Sequence, residues 1–268
     1  MQVAVVGHVD YIDFVRLARV PAPGEIVTAA ETWGEAAGGG GMAAVRLAAL
    51  AGGCRFFTAL GRDAVGRESE RQLARLGVRV EADWRDGPQR RGFCYLDDGG
   101  ERTITLLTRK LRPSGAASLP WEDLSACDAV YFTGGDTAAL RAARAARVLV
   151  ATSREAWTVR EAEVEVDALV GSATDPDEQV AEGALDPPPR RVFWTEGPDG
   201  GRIDPGGERW EAAPLPGPSA DAYGAGDTFA AHLTFALGRG LGAREAAEFA
   251  ARGSAEQLTG RGAHGGEP

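Results

Sequence analysis

Lysine occurs once in this chain of 268 residues, at Lys110. Any mechanism that needs a second lysine is therefore closed to it. Cysteine is as scarce as histidine, with three of each. Cys54, Cys94 and Cys127 are widely spaced and match neither a zinc-ligand spacing nor a disulfide framework. They read as buried free thiols, which suits a reducing cytoplasm. No run approaches the ~18 apolar residues of a membrane-spanning helix, and Met1 leads directly into a strand-like run rather than a signal peptide. A basic tract is also missing: 29 Lys and Arg face 39 Asp and Glu, a net charge of −10. Nucleic acid is therefore not an expected partner. Internal repeats and low-complexity linkers are absent as well.

What is present is a globular composition. Apolar residues make up 44%, enough for a substantial core, and the length fits one large α/β domain or two small ones. Apolar strand-like runs fall at residues 2–7, 53–60, 129–133, 148–151, 168–171 and 191–195. Helix-like periodicity falls at 42–50, 67–76, 137–147, 157–166, 228–238 and 243–258. Two regions break the alternation. Residues 21–33 read as a turn leading into an exposed strand, and 90–107 as a hairpin about Asp97-Asp98-Gly99-Gly100. The pattern predicts a mostly parallel sheet covered by helices on both faces, with a small sheet standing off it. Residues 260–268 read as a flexible tail.

The chemistry concentrates in Asp221-Ala222-Tyr223-Gly224-Ala225-Gly226-Asp227-Thr228-Phe229. Gly224, Ala225 and Gly226 stand before a helix-like segment. Small residues let backbone approach a ligand closely. A helix N-terminus adds N–H groups without intrahelical partners and a partial positive charge. Together they hold a phosphate or a developing anion. Asp227 stands at the mouth of that site. A carboxylate beside an anion pocket makes chemical sense when it takes a proton while the pocket holds the phosphate, which is phosphoryl transfer to an alcohol. The bland alternative is a helix start with Asp227 as its cap. Near the other end, His8-Val9-Asp10 follows the first strand, where open α/β sheets collect ligands; there the alternative is a turn capped by Asp10. The glycine run 38–41 allows approach to a small polar ligand such as a sugar. It lacks the spacing and acidic residue of a dinucleotide fingerprint, which disfavours a Rossmann dehydrogenase.

The order of these features resembles the ribokinase-like carbohydrate kinases of the phosphofructokinase-B type. Asp-x-x-Gly-Ala-Gly-Asp-Thr-Phe at 221–229 is similar to that family's closing signature. Before it come His8-Val9-Asp10, Pro23-Gly24-Glu25, the glycines 38–41, Gly-x-Asp-x-x-Gly at 61–66 and Thr-x-Gly-x-x-Gly at 195–200, in the family's order. The likeness covers nearly the whole chain. It implies a ribokinase-like three-layer α/β/α fold, a single kinase domain over 1–268 with lid strands from about 11–36 and 86–108. It implies ATP-dependent phosphorylation of the hydroxymethyl group of a sugar or sugar-like substrate. Asp227 would be the base and the backbone of Gly224, Ala225 and Gly226 the anion hole. His8, Asp10, Gly38 and Gly39 would bind substrate hydroxyls, and Thr195, Gly197 and Gly200 would lie along ATP. Asp175 would serve Mg2+, while Asp221 and the Tyr223 carbonyl would serve a monovalent cation such as K+. Exposed lid strands pair between subunits, which points to a homodimer.

The sequence departs from the family pattern at four places. Ala222 stands where the signature carries Thr or Ser. Met42-Ala43 stands where the glycine loop continues as Ala-Asn. Ser172 and Asp175 replace the Asn and Glu of a motif associated with magnesium and phosphate, and Ala251 replaces an adenine-side Asn. The base and anion hole are untouched; the substrate and nucleotide contacts are not. A nucleoside or vitamin kinase of the same superfamily and a catalytically weak, sugar-binding pseudokinase are the alternatives.

Overall fold

The structure, a computed structural model, describes residues 1–99, 101–219 and 223–265. Gly100, Asp221 and Ala222 lie outside the described residues. The elements are, in chain order, β1 (Val3–Val6), β2 (Asp10–Arg16), β3 (Glu31–Ala37), α1 (Gly38–Ala51), β4 (Cys54–Gly61), α2 (Ala64–Arg75), β5 (Val78–Arg85), β6 (Arg91–Leu96) and β7 (Arg102–Leu106). There follow β8 (Ala129–Phe132), α3 (Thr137–Ala143), β9 (Val148–Thr152), α4 (Ala156–Ala162), β10 (Ala168–Ser172), β11 (Val192–Thr195), β12 (Gly201–Asp204), β13 (Glu208–Trp210), α5 (Ala225–Gly238) and α6 (Ala243–Leu258).

Among the described residues the main sheet has nine strands in the order β13-β12-β11-β10-β9-β8-β1-β4-β5. It is parallel from β11 to β5, and β12 and β13 add an antiparallel edge. β1 is buried along its whole length because helices cover both faces. Val3 and Val5 join the core under α1, α5 and α6, while Ala4 and Val6 join the opposite core under α3 and α4. This period of two, apolar on both sides, is what a central parallel strand requires. The second sheet has the order β3-β2-β6-β7. Its own core holds Ile12, Phe14, Met42, Leu96 and Tyr223, with Trp33 stacked on Phe14 at 5.0 Å. The fold is the ribokinase-like three-layer α/β/α arrangement with a small separate sheet.

Several local readings shift. The glycines 38–41 form the first turn of α1 rather than a loop before it. α4 stops at Ala162 because Glu163 turns into the left-handed region, at φ 52°. β5 has no counterpart in the sequence reading. It is an edge strand pairing with β4 alone, and its alternating charges resemble a loop. The C-terminal tail is a correction. Residues 260–265 are docked, not free. Ala263 is fully buried, its N–H donates to Glu35 Oε2 at 2.6 Å, and the Arg261 guanidinium lies 3.9 Å from the Trp33 ring centre. The partners sit on β3, more than two hundred residues away in sequence, so local composition could not reveal them. Cys54, Cys94 and Cys127 are buried, and among the described residues none is in a disulfide. Among the described residues no helix is long and apolar enough to cross a membrane.

Candidate active site

β1 lies between β4 and β8, which the chain reaches by going first to one side and then to the other. Strand order reverses there, and a crevice opens beyond the C-terminal ends of the strands. A cavity of about 310 Å3 occupies it. His8 and Asp10 beyond β1, Thr133 beyond β8, Thr152 in β9, Gly171 in β10 and Thr195 in β11 all reach this cavity.

The opposite wall is the start of α5. Gly224 is its N-cap with φ 72°, a conformation that glycine adopts without penalty. A side chain here would also strike the buried Met42. Thr228 N donates the first helical hydrogen bond to Gly224 O at 2.9 Å. The amides of Ala225, Gly226 and Asp227 therefore precede the ladder and have no intrahelical acceptor. Asp227 is half-buried and lines the cavity. Desolvation by the surrounding protein, opposed by Arg102, lifts its carboxyl from 3.8 to about 6. α1 begins across the cavity. A Cβ on Gly39 would stand 2.8 Å from Asp227 Oδ1 and 2.9 Å from Thr133 Oγ1, so glycine is what lets the two helix starts meet.

At the other end of the cavity, His8 Nε2 is 3.7 Å from Asp10 Oδ2 and both side chains are buried. Burial lifts the Asp10 carboxyl to about 6 against the pull of Arg90 and Lys110. Burial, aided by Lys110 and Arg90, holds the His8 imidazole well below its usual range, so it is neutral at pH 7. Among the described residues His8 Nδ1 and Asp10 Oδ1 are buried without a hydrogen bond, with Arg90 Nε 3.5 Å from the latter. Two such atoms in one polar cavity could take hydroxyls of a ligand.

A second cavity, of about 500 Å3, lies beyond α5 and α6. Thr195, Gly197 and Gly200 line it together with apolar Trp210, Phe229 and Leu258. Ala251 lines it too, with no amide to offer a base. Thr195 and Gly226 line both cavities, so the two meet at the start of α5. The structure thus brings together His8, Asp10, Gly38, Gly39, Gly224, Gly226 and Asp227 around one cavity, and Thr195, Gly197, Gly200 and Ala225 around the other. The motif at 61–66 has a different place: Asp63 Oδ1 caps α2 through Gly66 N at 2.7 Å.

Asp175 does not line the first cavity. Its Oδ1 accepts from Asp177 N at 3.0 Å and its Oδ2 is paired with Arg154. Glu178 lines the cavity instead, accepting from Ser172 N at 2.7 Å and pairing with Arg154 Nε at 2.9 Å. Among the described residues no three acidic, histidine or cysteine side chains gather as a metal cage. A phosphate-bound Mg2+ needs only one or two carboxylates besides water and phosphate oxygens, and Glu178 fits that part. The Tyr223 carbonyl, expected to serve a monovalent cation, accepts one hydrogen bond from Gln257 Nε2, which also donates to Gly262 O, each at 3.0 Å. Asp221 lies outside the described residues. Sequence reasoning did not assign Lys110, Arg102, Thr133 or Glu178, which all line the first cavity. The signals were faint: Lys110 is the sole lysine, and Glu178 stands three residues past Asp175.

No curated protein sequence matches this chain. Solved structures do match. A ribokinase from Thermotoga maritima has a TM-score of 0.79 at 20% identity, covering 100% of this chain and 96% of that one. A ribokinase from Arabidopsis thaliana, complexed with ribose and ATP, has a TM-score of 0.75 at 20% identity, covering 99% and 96%. An adenosine kinase from Sinorhizobium meliloti has a TM-score of 0.75 at 17% identity, covering 96% and 93%. At these identities the likeness is one of fold. The profile described as pfkB family carbohydrate kinase matches residues 1–268, and the chain belongs to that family.

Proposed function

We propose that this kinase transfers the γ-phosphoryl group of ATP to a hydroxymethyl group of a sugar-like acceptor. The observation that carries the proposal is the junction at α5. Asp227 and the free amides of its first turn stand where two cavities share Gly226 and Thr195. ATP occupies the larger, more apolar cavity, its base against Trp210 and Leu258. The acceptor occupies the smaller one, with its hydroxyls on Asp10 and His8. Asp227 takes the proton of the attacking hydroxyl, whose oxygen bonds to the γ-phosphorus as the bond to the bridging oxygen of ADP breaks. Charge developing on the transferred group is met by the amides of Ala225 and Gly226 and by the helix dipole. Glu178, which lines the smaller cavity, would hold the water of a Mg2+ ion bound with ATP, and that ion would supply neutralisation of phosphate charge. β7 is exposed along its length, and pairing through this edge makes a homodimer part of the same proposal.

The test is a coupled assay of ATP consumption across aldoses, ketoses, sugar acids and nucleosides, with the product identified by its mass gain of one phosphoryl group. Asp227→Ala lowers kcat by about 10²–10⁴-fold. ATP consumption that no acceptor stimulates, or full activity in folded Asp227→Ala, rejects the proposal.

A further inference from the structure

The acceptor end of the smaller cavity holds a cation for which the proposed reaction has no use. Lys110 is half-buried and lines the cavity. Among the described residues it has no hydrogen bond and no ion pair, although a half-buried ammonium without a counter-ion is costly. The neighbouring cations are accounted for. Arg154 is held by Asp175 and Glu178. Arg112 is paired with Glu155, whose carboxylate also accepts from Thr158 Oγ1 at 2.9 Å. The buried Arg90 sets its Nε 3.5 Å from Asp10 Oδ1. Around His8 and Asp10 the charges are therefore Arg90, Lys110 and Arg112 against Asp10 and Glu155. His8 adds none, since burial and these same cations keep it neutral. Over the cavity lining the charges balance, Arg102, Lys110 and Arg154 against Asp10, Glu178 and Asp227, so what sets Lys110 apart is that, among the described residues, no carboxylate is paired with it.

The geometry points to an anionic acceptor: a sugar bearing a carboxylate or a phosphate, with that group on Lys110, its hydroxyls on Asp10 and His8, and its reacting hydroxymethyl group toward Asp227. The inference rests on the proposed kinase reading in naming the ligand an acceptor; the lysine without an ion pair is independent of it. The charges that act on Lys110 are those of Glu155, Arg112, Asp10 and Arg90, the groups gathered around His8. That places it at the acceptor's far end rather than at the transferred phosphate. An ammonium that shares no carboxylate in the free protein keeps its donors for the ligand.

The experiment is calorimetric titration of the full chain without nucleotide, using matched pairs: an aldonate and the alditol of equal carbon number, and a sugar phosphate and its parent sugar. The anionic member of one pair binds about 10- to 100-fold more tightly than its neutral partner, and which pair shows the effect identifies carboxylate or phosphate. Lys110→Met brings that ratio close to one while leaving the neutral member's Kd unchanged. Lys110→Arg keeps much of the preference, and thermal melts show that both variants fold. Equal binding within both pairs, binding of neither member, or an undiminished preference in Lys110→Met overturns the inference. So does a Lys110→Met variant that, in a separate titration with ATP, loses ATP affinity instead, which would put the lysine on the transferred phosphate. Because the acceptor titrations omit ATP, their failures leave the kinase reading standing; that reading fails separately if no bound acceptor is phosphorylated.

Discussion

Removing the charge of Asp227 should disable the enzyme and stabilise the fold. In the folded chain burial lifts this carboxyl from 3.8 to about 6. The unfolded chain ionises near the ordinary value, so between those two pH values the folded state binds more protons. Stability therefore falls as pH rises through this window and stays lower above it. Retained in full, the difference amounts to about 3 kcal/mol at neutral pH. Solvent reaching a half-buried group trims it to ~1–3 kcal/mol. Asp227→Asn keeps the shape and removes the penalty. At pH 8 its Tm should exceed that of the wild type by about 2–10 °C for a chain of this size. Below about pH 3, where both states of the wild type are protonated, the gain should vanish. Wild-type kcat/KM should fall about tenfold per pH unit below an apparent pKa near 6, and the variant's residual turnover should lack that limb. Scanning calorimetry at pH 8 and at about pH 2.5, with initial rates across the range where the chain is folded, reads all of this. An Asp227→Asn protein that melts at or below the wild type at pH 8, or a gain that persists undiminished at about pH 2.5, would refute the reasoning.

Other substitutions divide the site into its parts. Asp10→Ala should raise the acceptor KM by about 10- to 100-fold, as expected for a lost charged hydrogen bond, and leave the ATP KM alone; the reverse pattern would exchange the two cavities. A Cβ at Gly226 meets nothing within 4 Å, so Gly226→Val should melt like the wild type. It should lose at least about 100-fold in kcat/KM because the side chain fills the space between the cavities, and retained turnover would free this glycine of any role in the anion hole. Gln257→Leu leaves the carbonyls of Tyr223 and Gly262 buried without their donor, which should cost about 2–4 kcal/mol in denaturant melts. Wild-type turnover should be higher in KCl than in NaCl, as a monovalent cation at the Tyr223 carbonyl requires; equal rates in the two salts would reject that cation.

What was legible in the sequence was local or topological. Gly224 to Asp227 could be read because a helix start is a short-range object whose residue types carry its chemistry. His8 and Asp10 could be placed because strand ends in a parallel sheet have a predictable use. Gly39 needed the fold to explain it, since the atoms that would meet its Cβ belong to Thr133 and Asp227. Lys110, Thr133 and Glu178 carry no local pattern and come together through sheet order alone. Asp175 was expected to face the cavity, but competition for Arg154 and for a local cap turns it aside, and Glu178 takes that position. The docked tail escaped notice for the same reason, because a glycine-rich end looks unstructured until Glu35 and Trp33 are brought beneath it.

That docking makes the last described residues a strap between two parts of the fold. Gln257 joins the Tyr223 carbonyl, just before α5, to Gly262, and residues 261 to 263 lean on the small sheet through Glu31, Trp33 and Glu35. Whatever loosens their hold on β3 therefore also loosens, through Gln257, the turn at the start of α5.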